Sequence, residues 1–508
     1  LSNRIIDEGR IPVDWEKSVI IPIYKGKGDP LECGSYRAVK LLEHAMKVVD
    51  RVLEQRIRNQ VRVDEMQFGF MPGKGTTDAI FLVRQLQEKY HGKGKKLYYA
   101  FVDLEKAFDR VPREVVKWAL RKSGVDEWIV RAVMAMYANA QTVVRTACGD
   151  SESFDVKVGL HQGSVLSPLL FVIVMDVITK EVREELPWEV LYADHLVLVA
   201  ESEEKIKVRV QKWKASLETK GLRVNVGKTK VMVGGEGPRR VEETGKWPCG
   251  VCRKGVGRNS LQCTNCLKWV HKRCSQVKGK LATASLTFIC AKCTGQAADC
   301  VKGDERFDIG NGDSLEKVER FCYLGDMVSA DGGADSAVTA RVRSAWKKFK
   351  ELAPILTSKS ASLRLKGKIY QSCVRSCMMY GSEKWAMKKE HVEKLVRTEM
   401  RMIRWMCGTK LSDRRASAEL REQLGVEAVS DVLRRNRLRW FGHVERKAHD
   451  DWVKKCTVME VEGKRPKGRP RKTWMEVVGN DMKEMHLVST DAQDRQKWRK
   501  GIWSRPVA

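Results

Sequence analysis

Two groups of residues in this chain have the types and spacing to do chemistry. The first is a pair of carboxylates set at the ends of apolar runs. Asp103 closes Lys96-Leu-Tyr-Tyr-Ala-Phe-Val-Asp103, and Asp194 follows Glu189-Val-Leu-Tyr-Ala193 and precedes His195 and Leu196-Val-Leu-Val-Ala200. A carboxylate on a buried strand is costly unless it is paired or metal-bound. Two of them from different strands can converge on Mg²⁺, which takes oxygen ligands and keeps waters for phosphate oxygens to replace. Taken singly, each Asp reads as a hairpin-forming turn residue.

The second group is a cysteine–histidine cluster, Cys249-x2-Cys252-x10-Cys263-x2-Cys266-x4-His271-x2-Cys274-x15-Cys290-x2-Cys293. It offers eight ligands in four pairs. Thiolate and imidazole suit zinc, and four of them close a structural site. Seven of the chain's fifteen cysteines lie here and the rest are scattered. That pattern fits zinc in a reducing compartment better than a disulfide framework.

The elements that must position these groups can be read coarsely. Residues 18–24 read as a strand, 25–29 as a glycine turn, and 41–61 as a helix. Residues 96–103 form a strand and 113–139 look helical. Gly159-Leu-His-Gln-Gly163 is a turn entering an apolar helix, and 189–201 reads as strand, tight turn, strand. Composition shifts at Gly234-Gly235, and after about residue 313 the chain is helical and basic. Its clearest helices are 341–352, 363–379 and 391–406. No run reaches the roughly 18 apolar residues of a membrane span. Leu1 in place of Met points to a longer reading frame. Lys+Arg exceed Asp+Glu by 95 to 65, a net charge of +30 over 508 residues, with 43% hydrophobic residues. Real cores and a polyanionic partner are therefore expected, nucleic acid first.

The order of motifs says more than any one of them. Phe101-Val-Asp103-Leu-Glu-Lys-Ala-Phe-Asp109 precedes Gly159-Leu-His-Gln-Gly-Ser-Val-Leu-Ser-Pro168. Tyr192-Ala-Asp194-His195 and Gly221-Leu-Arg-Val-Asn-Val-Gly-Lys228-Thr-Lys230 follow. This series resembles the palm motifs of reverse transcriptases of the non-LTR (LINE-like) retrotransposon and group II intron lineage. Ile21-Pro-Ile-Tyr-Lys25 with Ser35-Tyr-Arg37, and Gln67-Phe-Gly-Phe70 with Thr76-Thr77, resemble that family's fingers motifs. Phe321-Cys-Tyr-Leu-Gly325 resembles its primer grip.

The resemblance implies an α+β right-hand polymerase. Fingers would occupy 1–95 and the palm 96–233, with the palm end and primer grip at 314–335. A helical thumb would occupy 336–410 and a basic C-terminal region 411–508. Asp103 and Asp194 would hold two catalytic Mg²⁺ ions. Lys25 and Arg37 would hold the triphosphate of a dNTP, and Phe108 would exclude a ribose 2′-hydroxyl. Gln162 and Gly163 would contact nucleotide and template, and Lys228 would lie near the leaving pyrophosphate; a solvated surface lysine reads equally well there. The partners would be an RNA template and a DNA primer or target, in the nucleus with a cytoplasmic phase.

The family motif is Tyr-Ala-Asp-Asp, and here His195 replaces the second aspartate. Imidazole is a poor Mg²⁺ ligand, so the second metal site is weakened. A degenerate copy, a sequence error, and a protein kept for binding without polymerisation are all consistent with this.

The cysteine–histidine order resembles a PHD finger inserted over 245–297. It implies one Zn²⁺ on Cys249, Cys252, His271 and Cys274, and another on Cys263, Cys266, Cys290 and Cys293. Trp269 and Phe288 sit where that family carries aromatics. A histone tail is a candidate partner, but Arg253, Lys254 and Arg258 would repel a basic peptide. Within 464–472, Lys467-Gly-Arg469-Pro-Arg471 resembles an AT-hook core, and a solvated basic linker or nuclear-import signal would look the same. Arg437-Leu-Arg-Trp-Phe-Gly-His443 interleaves basic and aromatic residues, as a base-stacking platform or a helical core would.

Overall fold

The computed structural model describes residues 5, 8–26, 28–184, 187–235, 249, 256, 260–263, 269–275, 277, 288, 306–310, 312–466, 468 and 470–503. Its centre is a six-stranded sheet among the described residues. The spatial order is Arg306–Gly310, Asp313–Lys317, Lys230–Gly234, Leu97–Asp103, His195–Ala200 and Glu189–Tyr192. Leu97–Asp103 is apolar almost throughout because both faces are covered. The helix Glu203–Thr219 packs on the sheet. Tyr99 and Phe101 share one face by the strand's period of two, and Phe101 stacks on Phe321 at 4.2 Å. The cysteine-rich stretch interrupts this sheet between two neighbours, since Asp313–Lys317 runs parallel to Lys230–Gly234.

A second sheet pairs Lys17–Tyr24 antiparallel with Tyr36–Leu41 and parallel with Gln141–Thr146. Residues 141–155 therefore join the sheet of the first 41 residues and not the palm strands with which the sequence grouped them. A parallel pairing across more than a hundred residues leaves no trace in local alternation. The helical stretch expected over 113–139 is two helices, Arg113–Lys122 and Glu127–Ala135. The break falls at Gly124, whose φ of +78° ends the first helix.

Beyond the insert, strands come before helices. Arg320–Tyr323 and Asp326–Ser329 form a hairpin. A second core then gathers Phe349, Tyr370, Trp385, Met402 and Ile403 between the helices Asp335–Glu351, Leu363–Ile369 and Lys389–Cys407. The helix expected over 363–379 is continuous but widens to a π-wound turn at Tyr370–Arg375, where both end residues reach Glu399.

The last eighty or so residues return to the first core. Phe81, on the helix Thr76–Gly92, lies 5.5 Å from Trp440 and 4.8 Å from Trp474. Trp440 and Phe441 are buried in the helix Val429–Glu445, and Arg437 is paired with Asp481 at 2.7 Å. Of the two readings of 437–443, the core reading holds and the stacking platform does not. No helix among the described residues is long and apolar enough to cross a membrane.

Candidate active site and candidate metal ligands

The hairpin Glu189–Tyr192/His195–Ala200 closes in two residues, with Tyr192 opposite His195. Ala193 takes φ of +54° in the turn, a conformation that suits the tight twist of a hairpin but strains a residue with a Cβ. His195 is in turn the cross-strand partner of Asp103. The structure thus brings Asp103, Asp194 and His195 to one end of the central sheet. Asp194 is half-buried and His195 exposed. No side-chain hydrogen bond or ion pair among the described residues engages Asp194.

Gln67-Phe-Gly-Phe70 holds this turn in place. The buried Gln67 carbonyl Oε1 accepts from the backbone N–H of Ala193 at 3.1 Å and of Gly69 at 2.9 Å. Phe68 donates to the Leu191 carbonyl, and Leu191 to that of Met66. A Cβ on Gly69 would lie 2.5 Å from the Ala193 nitrogen, so only glycine allows this approach. By sequence this motif groups with the fingers, and nothing local marks Gln67 for a role. Its job depends on a residue 126 positions away.

Asp103 is fixed from the other side by the Gly221–Lys230 motif. Asn225 donates to the Asp103 carbonyl at 2.8 Å, and the Asp103 N–H reaches Thr229 Oγ1 at 3.3 Å. Asp103 Oδ2 is buried and accepts no hydrogen bond. Its one ion-pair partner among the described residues is the Lys228 ammonium at 3.5 Å. A buried carboxylate oxygen without a donor is the state a metal ligand has before its cation is considered. Lys228 itself is largely exposed but leans back on this group.

Phe108 lies beside the same end of the sheet and stacks on Phe171 at 4.6 Å. Its backbone is clamped by Leu160, which donates to the Phe108 carbonyl at 2.8 Å. Gln162 donates to Asp109 Oδ1 at 2.6 Å. Gly163 has φ of +104°, and a Cβ there would meet the Lys40 carbonyl at 2.6 Å. This contact joins the turn to the strand that carries Arg37. Lys25 and Arg37 remain exposed on that second sheet, and Lys25 Nζ donates to the Gly34 carbonyl.

Beneath the turn lies a buried polar group that the sequence did not flag. Burial, with Arg113 nearby, lowers Lys40 to about 8. Burial lowers His161 to about 3, helped by Lys40 and Arg113, so the imidazole is neutral. Burial raises Asp50 to about 6 although Ser164 Oγ donates to it at 2.5 Å.

In the cysteine-rich insert, Cys249, His271 and Cys274 present ligand atoms that all lie within 4.8 Å of one another. His271 Nδ1 and Cys274 Sγ are 3.8 Å apart, near the ~3.6 Å edge of a tetrahedron built on zinc's bond lengths. The His271 N–H points at Cys249 Sγ at 3.4 Å. The pair Ser260–Gln262/Trp269–His271 carries the histidine, and Leu261, Val270 and Phe288 form a small core beneath it. Cys263 is buried in that core. Cys252, Cys266, Cys290 and Cys293 lie outside the described residues, as do Lys467 and Arg469 of the AT-hook-like segment. Arg471 is described, and its guanidinium donates to the Asp331 carbonyl.

The sequence also matches a known family. The reverse transcriptase (RNA-dependent DNA polymerase) family profile matches residues 23–324, more than half of the chain, and the chain belongs to that family. It is 28% identical over 232 residues to the Retrovirus-related Pol polyprotein from type-1 retrotransposable element R2 of Nasonia vitripennis, covering 44% of this chain and 22% of that one. It is 27% identical over 215 residues to the RNA-directed DNA polymerase from mobile element jockey of Drosophila melanogaster, covering 39% and 23%. The match thus spans less than a quarter of either relative's length. Among solved structures, apo telomerase from Candida tropicalis aligns with a TM-score of 0.35 and 16% identity over 47% of this chain and 55% of its own.

Proposed function

We propose that this chain is the RNA-directed DNA polymerase part of a non-LTR retrotransposon protein, extending a DNA 3′-hydroxyl on an RNA template. The observation that carries the reading is the register of Asp103 against the Asp194–His195 turn, with Asp103 Oδ2 buried and undonated. Asp103 and Asp194 are the residues that would hold Mg²⁺. Bound there, the metal would polarise the attacking oxygen and neutralise charge on the phosphate. Phe108, braced by Phe171, walls the site on the sugar side. Gln162, held by Asp109, presents the glycine turn to base and template. Lys228 supplies positive charge beside Asp103.

His195 favours a second reading for this copy: a nucleic-acid-binding protein with depleted catalysis. Asp103 and Asp194 still offer oxygen ligands, but the imidazole at the third position carries no negative charge at neutral pH. Loss of one such electrostatic contribution typically costs about 10²–10³-fold in rate. Primer extension on an RNA template with Mg²⁺ tests this. The chain as written is expected to extend poorly and His195→Asp to extend at least about a hundredfold faster. Equal, robust synthesis by both would remove the role given to this position. No synthesis by either would count against the polymerase reading.

The insert is proposed to be a PHD-type zinc finger, one ion on Cys249, Cys252, His271 and Cys274 and one on the remaining four cysteines. Elemental analysis of the purified chain should give about two zinc per molecule. Cys249→Ser should remove one of them, and an unchanged content would overturn the ligand assignment.

A further inference from the structure

The helices of the second core carry a feature that the candidate active site does not involve. Trp405, near the end of the helix Lys389–Cys407, leaves 49% of its surface exposed. Its other side is braced by Phe349 at 5.4 Å and Trp346 at 6.4 Å. The indole is therefore a rigid, half-open platform. It lines an open cleft of about 510 Å³ with Arg401, Arg404, Gly408, Lys410 and Leu411. Leu411 is 75% exposed and gives the cleft an apolar edge.

Among the described residues no carboxylate lines the cleft. Arg401, Arg404 and Lys410 make no ion pair among the described residues. Arg343 and Lys350 flank Trp346 at one-turn spacing on the neighbouring helix, and they too are without an ion pair among the described residues. Asp413, two residues beyond Leu411, is engaged by the Lys410 N–H and Ser412. A helix C-terminus carries about half a negative charge, which would oppose an anion. Here the Met406 carbonyl accepts from Lys366 Nζ, the Trp405 carbonyl from the Gly408 N–H and the Arg404 carbonyl from the Thr409 N–H. Three unpaired cations outweigh what remains.

We propose that this cleft is a foothold for single-stranded nucleic acid. One base stacks on Trp405 against Leu411, and the flanking phosphates are held by Arg401, Arg404 and Lys410. A flat aromatic face rimmed by cations fits a nucleotide, which presents a π-face and an anion together. An acidic peptide would satisfy the cations and leave the indole uncovered. Trp346, which braces Trp405, lies roughly 16 Å of helix rise along Asp335–Glu351 from its start, and none of Asp103, Asp194 or His195 lines the cleft. The inference rests on the chain binding nucleic acid and not on its catalysing anything, so His195 does not bear on it.

The test uses the full chain as written and a fluorescently labelled ten-nucleotide oligouridylate. The same backbone without bases and a duplex of equal length serve as controls, all read by anisotropy. Trp405→Ala should weaken the single strand by about 5- to 100-fold while changing the duplex and the abasic strand less than about twofold. Trp405→Phe should restore most of the loss, which separates stacking from misfolding. Arg401→Ala with Arg404→Ala should make log affinity fall less steeply with log salt, by about 0.7 for each phosphate no longer neutralised. Equal weakening of all three ligands by Trp405→Ala, or no change in the single strand, overturns the proposal. So does a cleft that loses only the binding of a polyglutamate peptide on Trp405→Ala.

Discussion

Two tight hairpins in this molecule each carry an aspartate, and they use it in opposite ways. Tyr192-Ala-Asp194-His195 and Tyr323-Leu-Gly-Asp326 both pair their first residue with their last. Both place a non-glycine residue at positive φ, Ala193 and Leu324. Asp326, however, is fully buried and saturated. Arg84 Nε donates to it at 2.8 Å, the Trp385 indole at 3.3 Å and the Met327 N–H at 3.0 Å. Among the described residues Asp194 receives no such donors, and its turn is steadied through the backbone by the neutral Gln67 amide. One carboxylate is spent on cohesion and the other is left open to a ligand. What decides between them is the set of donors that distant segments deliver, not the residue or its turn.

The sharpest way to break this comparison is to remove both acids in turn. Asp326→Ala leaves the Arg84 guanidinium buried without its carboxylate and should lower stability in urea by about 3–5 kcal/mol. Asp194→Ala should stay within about 0.5 kcal/mol of the parent. Similar losses from the two would erase the distinction. Next in size is Gln67→Ala. It strips the acceptor from two buried N–H groups and should destabilise by about 1–3 kcal/mol. A loss below about half a kcal/mol would mean that the turn holds itself.

Asp50 is the intermediate case, a buried acid with a hydroxyl donor and no cation bonded to it. Its folded value of about 6 lies above the ordinary 3.8. The folded state therefore binds the extra proton, and stability falls as pH rises from about 4 to 6 and then levels. Between pH 5 and 7 this amounts to roughly 1 kcal/mol. Melts of Asp50→Asn should lack that part of the slope. An identical pH response in both proteins would place it elsewhere, with Glu88 and Glu189, which burial raises to about 7.

The carboxylates were legible in the sequence because apolar strands ending in acids, in a fixed motif order, are a local signal. The hairpin at 189–201, the glycine turn at 159–163 and the helices of the second core were legible for the same reason. Gln67 and Asp326 were not, because their meaning lies in partners 126 and 242 positions away. The parallel pairing of Lys17–Tyr24 with Gln141–Thr146 was hidden likewise. Trp440 and Phe441 stayed ambiguous because aromatic and basic residues alternate in the same way on a buried helix and on a binding face. In the insert, spacing named a ligand set, three members of which the structure gathers.

The helix Thr76–Gly92 is buried on nearly every side, including Asp78, Arg84, Gln85 and Gln87. Residues from the far end of the chain cover part of it, among them Trp440 and Trp474 against Phe81 and the helix Trp452–Val458. That has a consequence for synthesis. Translation runs at about 5–20 residues per second, so this helix waits some tens of seconds on the ribosome with Phe81 and its neighbours bare. A nascent chain in that interval presents an apolar face that calls for a chaperone. A message cut short before the codons for Val429–Glu445 would leave the face bare for good, and its product would be cleared or would aggregate.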